Sequence, residues 1–564
     1  MATKPNFVIV LADDMGFSDL GCYGGEALTP NIDGLAAAGL RYTQLYNSAR
    51  CCPSRAALLT GMHPHQAGIG WMTFGGLRDS SPPGTWTSML EPGGGRYQGY
   101  LDESCATIAE VLRPAGYRTL LSGKWHVGGD VKPEDVALFD PAKPGPPVTP
   151  LQRGFDEFWG LHGGAASYYI PRILMDGIDI VKVDDPDFYL TDAISDHAVD
   201  MIDRAAAANE PFLLYLAYTA PHWPLHALED DVARYERTYR SGWDQVRAER
   251  HERLRDAGLV DRRWPISARD PDSFPFSDAS DPQWQAMRMA VYAAQIDRMD
   301  QGVGRVLDRL RAHGIFDDTL VLVCSDNGGC SEFLNEEAVA EGADPYVGKT
   351  ADGRPVRIGN IPGLRPGGPD TFMSYDLPWA NASNAPFRRY KSWVHEGGIS
   401  TPFIVHWPNR IPEPGIRGAP IHFIDILPTL AELAGAVLPT ERDGLPLRGV
   451  EGKSFAASFT DAGWTRDEPL WFEHESNRAL RDGDWKLVSA HPGAWELYNI
   501  DDDRTEGNNL ADREPARLQR MAEAWTDTAS RVGVRADLSR VWDGVAAWHK
   551  RTNLDMRTHQ SRLR

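Results

Sequence analysis

One short segment of the chain places a cysteine and an arginine at spacings that suit anion chemistry. It reads Cys51-Cys52-Pro53-Ser54-Arg55 and closes with Thr60-Gly61. Proline suits the first turn of a helix and glycine suits the residue after its end, which predicts a short helix over 54–60. Cys51 would then lie at the positive helix end with Arg55 beside it, so its thiol would be acidified and would face an anion. The alternative is an ordinary helix start with a buried cysteine.

Polar side chains also follow apolar segments that we predict as buried parallel strands. The segments are 6–12, 118–122, 212–218, 319–325 and 403–406, and predicted helices alternate with them at 31–39, 105–113, 190–207, 284–313 and 424–434. This alternation predicts an α/β fold with a parallel sheet covered by helices on both faces. Ligands bind beyond the carboxyl ends of such strands. The polar residues at four of these ends should therefore meet Cys51 on one rim: Asp13, Asp14, Lys124, His126, His222, Asp326 and Asn327.

Four of these residues form a candidate metal site. Asp13, Asp14, Asp326 and Asn327 offer hard oxygen ligands and three negative charges, which suits Ca²⁺ or Mg²⁺ and does not suit zinc. Taken singly, each has an ordinary explanation as a helix cap or a turn residue. Their coincidence with the Cys51 segment favours a functional site.

Composition excludes several classes of protein. The chain has 564 residues, and its 58 Lys plus Arg against 79 Asp plus Glu leave a net charge of −21, which argues against a general nucleic-acid binder. Six cysteines are too few for a disulfide scaffold, although a Cys324–Cys330 bridge is conceivable. The first apolar run lacks the basic lead of a secretory signal, and no run has the length of a membrane span. These features predict a cytoplasmic protein without a membrane partner.

The Cys51 segment, the Gly123-Lys124-Trp125-His126 sequence, His222 and the lysine ahead of Glu396-Gly397-Gly398 resemble the type I sulfatases. The chain looks closest to bacterial arylsulfatases, which belong to the alkaline phosphatase superfamily. The resemblance implies a large mixed, mostly parallel sheet flanked by helices. It also implies that a maturation enzyme oxidises Cys51 to formylglycine, and that calcium binds Asp13, Asp14, Asp326, Asn327 and the formylglycine oxygen.

The same resemblance implies a role for each catalytic residue. Hydrated formylglycine at position 51 attacks sulfur, with Asp326 as the proton acceptor, while three cations neutralise the sulfate group. His222 protonates the leaving oxygen. His126 then deprotonates the second hydroxyl, and sulfate is released. The cations are Arg55, Lys124 and Lys391. Arg389-Tyr390 stands before Lys391 where many relatives have two glycines, so Arg388 or Arg389 could share the task of that lysine.

These residues predict a sulfuric ester hydrolase that acts on a small aryl, alkyl or sugar sulfate. The first alternative is a phosphate or phosphonate ester hydrolase of the same superfamily, although the Lys124 and His126 pair favours sulfate. The second is a catalytically silent binding protein that keeps the fold. Loss of one catalytic residue would have supported it, and none is lost.

Two domains are predicted, a catalytic one over 1–466 and a smaller one over 467–564. The smaller one should hold an antiparallel sheet, with strands near 479–481, 485–488 and 495–499, and a helix over 515–532. The polar residues after 549 form either an arm that contacts another subunit or a frayed end. Segments 226–282 and 331–385 read as insertions that border the mouth of the site.

Overall fold

The centre of the structure, a computed structural model that describes residues 4–73, 95–129, 148–334 and 349–562, is an 11-stranded sheet. The strands of the described chain are β1 (Asn6–Ala12), β2 (Leu40–Tyr46), β3 (Arg118–Gly123), β4 (Glu157–Leu161), β5 (Leu174–Asp176), β6 (Asp179–Val181), β7 (Phe212–Ala217), β8 (Thr319–Ser325), β9 (Arg357–Ile358), β10 (Thr371–Phe372), β11 (Ser400–His406), β12 (Gly415–Arg417), β13 (Ile421–His422), β14 (Glu441–Arg442), β15 (Leu445–Pro446), β16 (Leu470–His474), β17 (Asn477–Asp482), β18 (Trp485–Ser489) and β19 (Glu496–Asn499). In the main sheet the order is β12-β2-β11-β8-β1-β7-β3-β4-β5-β6, and β13 also pairs with β2.

Helices cover both faces of this sheet. They are α1 (Pro30–Ala38), α2 (Cys51–Thr60), α3 (Ile108–Leu112), α4 (Leu190–Ala208), α5 (Glu229–Ala233), α6 (Gly242–Asp256), α7 (Pro282–Ala312), α8 (Asp376–Ser383), α9 (Glu396–Ile399), α10 (Ile426–Ala434), α11 (Pro515–Val532) and α12 (Ser539–Arg562). Side chains of β1 alternate between the two layers, as a strand buried on both faces requires. Val8 and Val10 pack with α1, α4 and α7, whereas Phe7 and Ile9 pack with α2, α3 and α10. No helix of the described chain is long and apolar enough to cross a bilayer.

The predicted fold class is confirmed, with one strand direction corrected. Four predicted strands are the parallel strands β1, β3, β7 and β8. The segment predicted over 403–406 is part of β11, which runs antiparallel to β8 and β2. Lys391 lies at the rim where the parallel strands end, and α9 leads from there into β11. Because β11 starts at that rim, it must run in the direction opposite to the parallel strands.

The strand that leads to Cys51 was not predicted from the sequence. It is β2, in which Arg41 and Gln44 interrupt the apolar residues and are only half-buried. Its last residue, Tyr46, is followed closely by α2, which therefore begins at the same rim as the other sites. The predicted helix over 54–60 is correct at its end, where Gly61 adopts a left-handed φ of 66° and its N–H bonds the Ala57 carbonyl at 2.9 Å. Cys51 is the first residue of that helix.

A second, antiparallel sheet follows near the C-terminus. Its order is β16-β17-β18-β19, and α11 packs on it through Met521, Trp525 and Val532. The helix predicted over 515–532 has these bounds, while β16 adds a strand that the sequence did not indicate. The domain boundary at residue 467 stays a prediction.

The polar C-terminal segment is helical in the structure. Trp542 and Val545 at the start of α12 join the same apolar layer as α2, and Trp542 packs edge-on against Trp71 at 5.4 Å. Farther along, the ring nitrogen of His549 lies 3.2 Å from the Glu475 carboxylate. This segment is not a frayed end, because Asn553 bonds the Asp272 carboxylate at 3.3 Å and Arg557 bonds the Asp272 carbonyl at 2.8 Å. A contact with another subunit stays a prediction.

The predicted insertions differ from one another. Segment 226–282 contains α5 and α6, so it is more ordered than its composition indicated. Segment 331–385 contains β9, β10 and α8, and its residues 335–348 lie outside the described part of the chain. Cys324 and Cys330 are both free, so the conceivable bridge between them is absent.

A buried charge cluster ties the smaller sheet to the catalytic rim. Glu396 accepts hydrogen bonds from Lys486 at 2.8 Å and from Arg504 at 2.7 Å, and Lys486 also contacts Glu506 at 2.8 Å. Burial alone would raise the pKa of Glu396, but Lys486 and Arg504 outweigh it and lower the pKa from 4.5 to about 2. Glu396 is therefore ionised in the folded protein at neutral pH.

We expect Lys486→Met to lower the free energy of unfolding by about 3 kcal/mol, because two buried carboxylates then share less positive charge. In the wild type, the stability supplied by the lowered Glu396 pKa is complete above pH 4.5 and is lost as the pH falls towards about 2. The variant should lose less stability over that range. Urea denaturation at pH 7 and at several pH values below 5 measures both effects, and a variant as stable as the wild type would contradict the first.

Candidate active site

The acidic residues predicted as metal ligands meet at the carboxyl ends of β1 and β8. Both strands are buried along their whole length and are adjacent and parallel, so Asp13 and Asp14 follow one strand while Asp326 and Asn327 follow its neighbour. The Asp14 N–H bonds the Asp326 carboxylate at 3.3 Å, and the Asn327 amide donates to Asp14 Oδ1 at 2.6 Å. All four side chains are buried. Water cannot screen their mutual repulsion, so positive charge must offset it.

Three buried cations supply that charge. Lys124, at the end of β3, donates to Asp13 Oδ2 at 2.5 Å. Arg55, on α2, contacts Asp326 Oδ2 at 2.9 Å. Lys391 reaches Asp14 Oδ2 at 2.8 Å. Burial would raise the pKa of Asp13, but Lys124, His222 and Arg55 together lower it below its usual value. Each cation therefore has a different acid as its nearest partner, with Arg55 also 3.9 Å from Asp13 Oδ2, and together they form a positively charged wall beside the acids.

A close approach of two loops brings Lys391 to this wall. A Cβ added at Gly328 would lie 1.9 Å from the Gly397 carbonyl oxygen, so only glycine lets the loop after β8 pack against the loop that precedes β11. Lys391 N–H bonds the Gly329 carbonyl at 3.2 Å across the same contact.

The sequence left open whether Arg388 or Arg389 shares the position of Lys391. Arg388 turns away and donates to Glu496 at 3.0 Å and to Tyr498 at 3.0 Å. Arg389 pairs with Asp270 at 3.3 Å and lies over the Trp393 ring. Lys391 is therefore the cation of this loop that reaches the acids.

Cys51 lies at the centre of the cluster, with only 2% of its surface exposed. Its Sγ, the Sγ of Cys52 and a ring nitrogen of His126 all lie within 4.8 Å of one another. A hydrogen bond from Cys52 lowers the pKa of the Cys51 thiol well below its usual value, with Lys124 and Lys391 adding to the shift against the effect of burial. Burial raises the pKa of Cys52 instead. The two adjacent thiols therefore differ, and Cys51 is the acidified one.

The two histidines differ in their hydrogen bonds. His222 Nδ1 lies 2.6 Å from the Trp223 carbonyl oxygen. A carbonyl only accepts, so Nδ1 carries the proton and Nε2 faces the site, 3.3 Å from both Lys391 Nζ and Asp14 Oδ2. Burial lowers the pKa of His126 to about 4, although Cys51 opposes the shift. His126 is thus a neutral imidazole at neutral pH.

Every predicted site residue lies in this one cluster, and the structure adds some that the sequence did not indicate. Arg50, immediately before Cys51, bonds Ser392 Oγ at 2.6 Å and Glu332 at 2.9 Å. Glu332 also accepts a hydrogen bond from the Trp223 indole at 2.8 Å. Glu332 follows Asp326 by only a few residues, but nothing in its local sequence distinguishes it from a surface glutamate.

The donor set fits a hard divalent cation. Asp13 Oδ1 and Asn327 Oδ1 are buried and have no hydrogen-bond partner among the described residues. Ligand atoms of Asp13, Asp14 and His222 lie within 4.8 Å of one another. Clustered carboxylate and amide oxygens, two of them without a hydrogen-bond partner among the described residues, suit Ca²⁺ or Mg²⁺.

The mostly parallel sheet, with buried acids, buried cations and an acidified thiol at its carboxyl edge, has the alkaline phosphatase-like fold. The Sulfatase family model matches residues 5–436, and the model of the N-sulphoglucosamine sulphohydrolase C-terminal region matches 388–527. The chain belongs to the sulfatase family and is a sulfatase that hydrolyses sulfate esters. Sulfatases generally use a metal ion and a formylglycine.

Individual relatives agree with this family. The chain is 31% identical over 564 residues to an uncharacterized sulfatase of Schizosaccharomyces pombe, with 94% of each chain covered. It is 32% identical over 448 residues to an arylsulfatase of Klebsiella aerogenes, with 77% of this chain and 87% of the relative covered. The solved structure of Ps i-CgsB in complex with k-i-k-neocarrahexaose superposes with a TM-score of 0.63 at 23% identity, with 99% of each chain covered. At that identity the structural likeness describes the fold.

Lys391→Ala should lower kcat/KM for a sulfate ester by about 100-fold or more, because one charge that faces the reacting group is removed. Arg389→Ala is the matched control. It removes a cation two residues away that pairs with Asp270 instead, and should change kcat/KM by less than about threefold. Steady-state kinetics with 4-nitrophenyl sulfate measures both variants. A larger loss of kcat/KM in Arg389→Ala than in Lys391→Ala would show that Arg389, and not Lys391, is the cation that acts on the sulfate group.

Proposed function

We propose that this sulfatase acts through a formylglycine formed from Cys51 and a calcium ion held by Asp13, Asp14, Asp326 and Asn327. The observation that carries the proposal is the acidified Cys51 beside both the acidic cluster and the cations. A maturation enzyme would oxidise Cys51, since the chain itself encodes a thiol. When present, a hydrated aldehyde supplies a hydroxyl nucleophile and a route by which sulfate leaves without a further nucleophile.

The residues around position 51 then have separate roles. Lys124, Lys391 and Arg55 bind the sulfate group and offset the charge that builds on its oxygens during transfer. Asp326, whose pKa is raised by burial and by the neighbouring charges of Asp13 and Cys51, takes the proton of the attacking hydroxyl. A divalent metal held by Asp13, Asp14, Asp326 and Asn327 would supply Lewis-acid chemistry beside these groups.

Two histidines move the remaining protons. His222, when it carries a proton on Nε2 as well as on Nδ1, gives the Nε2 proton to the leaving oxygen, and its Nδ1–H bond to the Trp223 carbonyl keeps Nε2 directed at the site. His126, neutral at neutral pH because burial lowers its pKa to about 4, takes a proton from the residue at position 51 when sulfate is released. Over the whole reaction one water is consumed to rehydrate the aldehyde, sulfate is released, and the alcohol product keeps the proton that His222 donated.

The substrate is a small sulfate ester. The alternative of phosphonate or phosphate ester hydrolysis uses the same fold, and the presence of both Lys124 and His126 beside position 51 favours sulfate. Whether the alcohol half is aryl, alkyl or sugar depends on residues around the mouth, where Trp223 offers a partly exposed aromatic ring.

We expect Cys51→Ala to abolish sulfate release, because the precursor of the nucleophile is removed. Cys52→Ala is the matched control; it deletes the adjacent thiol and should keep activity within about tenfold, since Cys52 lies against Trp71 and Met72. Mass spectrometry of the wild-type peptide that contains Cys51 should show an aldehyde in place of the thiol after coexpression with a maturation enzyme.

Two outcomes of this experiment would overturn the proposal. Full activity of Cys51→Ala would exclude residue 51 as the nucleophile. Faster hydrolysis of phenylphosphonate esters than of 4-nitrophenyl sulfate by aldehyde-bearing protein would favour the alternative reaction.

Removal of the metal with a chelator should abolish activity and lower the melting temperature, because the acids lose the charge that offsets their repulsion. Added Ca²⁺ should restore both, with about 3 kcal/mol of stabilisation at a concentration 100 times its dissociation constant. Asn327→Ala should reduce this thermal shift, whereas Asn360→Ala, which removes a buried asparagine bonded to Ser374, should retain it. Recovery of activity with Mg²⁺ and not with Ca²⁺ would show that the site binds magnesium and would contradict the calcium assignment.

A further inference from the structure

Glu332 joins two parts of the site that the sequence leaves unconnected. It lies in the loop after β8, and 12% of its side chain is exposed. One carboxylate oxygen accepts from Arg50 at 2.9 Å and the other from the Trp223 indole at 2.8 Å. We propose that Glu332 is a positioning residue that holds His222, through Trp223, in line with the leaving oxygen. This inference rests on the proposed role of His222 as the acid.

The path from Glu332 to His222 consists of two hydrogen bonds. Trp223 is anchored by its indole N–H on Glu332, and its own carbonyl accepts the Nδ1 proton of His222 at 2.6 Å. The two rings also touch, with centroids 4.6 Å apart. A shift of the indole therefore moves the carbonyl that orients the imidazole. Such small displacements matter, because proton transfer in catalysis depends on geometry at the scale of an ångström.

The second carboxylate oxygen ties this path to the nucleophile. Arg50 is the residue before α2 and also donates to Ser392, the neighbour of Lys391. Ser392 N–H in turn bonds the Ala49 carbonyl at 2.8 Å. Glu332 thus fixes the segment that carries His222 relative to the segment that carries Cys51, because one carboxylate oxygen bonds Trp223 and the other bonds Arg50.

Glu332 is charged in the folded protein. Burial would raise its pKa, but Lys391, Arg50 and His222 lower it to about 2. A neutral glutamine could still accept from one donor. It could not keep both bonds in place, because the two donors face different terminal atoms and one of these atoms would be an amide nitrogen, which only donates.

Glu475 provides an internal comparison. It is also buried, accepts an indole N–H from Trp71 at 2.9 Å and lies 3.7 Å from Arg50. Its other contacts are with His474 and His549, at 3.5 Å and 3.2 Å, and none is with His222. The two glutamates therefore share the Arg50 and tryptophan contacts but differ in access to the acid.

Misplacement of an acid has a characteristic kinetic effect. The phenoxide of 4-nitrophenyl sulfate leaves readily without a proton, whereas the more basic phenoxide of phenyl sulfate needs one. A variant that disturbs His222 should therefore lose more activity on phenyl sulfate. A variant that merely loosens the site should lose the same factor on both esters.

The experiment compares kcat/KM on these two esters for Glu332→Gln, Trp223→Phe and the control Glu475→Gln, each with confirmed formylglycine. Glu332→Gln should lose about tenfold more on phenyl sulfate than on 4-nitrophenyl sulfate, a part of the 10² to 10⁴ that general acid catalysis contributes. Trp223→Phe, which keeps the ring and deletes the N–H, should show the same bias. The double variant should be no more biased than the worse single, because both act through one contact. Glu475→Gln should affect the two esters equally.

Equal losses on both esters in Glu332→Gln and Trp223→Phe would overturn the inference, as would an equal bias in Glu475→Gln. If Glu332→Gln does not fold, Trp223→Phe alone decides. These results are distinct from failure of the proposed function. Wild-type protein that carries formylglycine and hydrolyses no aryl, alkyl or sugar sulfate would refute the function itself, and Cys51→Ala would then be no less active than the wild type.

Discussion

The site depends on the burial of three carboxylates within a few ångströms of one another. Such a cluster is stable only if cations or a metal ion offset its repulsion, since the interior offers little screening. Lys124, Arg55 and Lys391 each pair with one of the acids, and among the described residues two buried oxygens, on Asp13 and Asn327, have no hydrogen-bond partner. The same arrangement that stabilises the acids creates a positively charged wall for an anionic substrate. Stability and chemistry therefore have one electrostatic origin.

Several distant segments must be fixed to bring these charges together. The parallel strands β1, β3, β7 and β8 deliver most of the side chains, because their carboxyl ends lie on one edge. The nucleophile and Lys391 arrive differently, through β2 and through a loop that returns into the antiparallel β11. The buried cluster around Glu396 holds that loop against the smaller sheet. The C-terminal sheet is thus part of what positions Lys391, although it supplies none of the predicted catalytic residues.

Hydrogen bonds behind the reacting groups give the site its orientation. The Trp223 carbonyl selects the tautomer of His222, and Glu332 connects that residue with Arg50 beside Cys51. Cys52 lowers the pKa of its neighbour while its own thiol is kept protonated by burial. These bonds orient His222, Cys51 and the neighbouring cations relative to one another.

Apolar runs and short motifs are local patterns, so the amino-acid sequence was enough to predict the α/β class, the four parallel strands and the residues at their ends. It also indicated the Cys51 helix and the helix of the smaller sheet for the same reason. Long-range packing sets the other features: β11 is antiparallel, β2 precedes Cys51, Lys391 and not Arg389 reaches the acids, and the C-terminal segment is a docked helix. The tertiary structure also revealed Glu332, whose partners Arg50 and Trp223 are far apart in the chain. Contacts between such distant residues leave no mark on local sequence, so no periodicity or spacing could have indicated them.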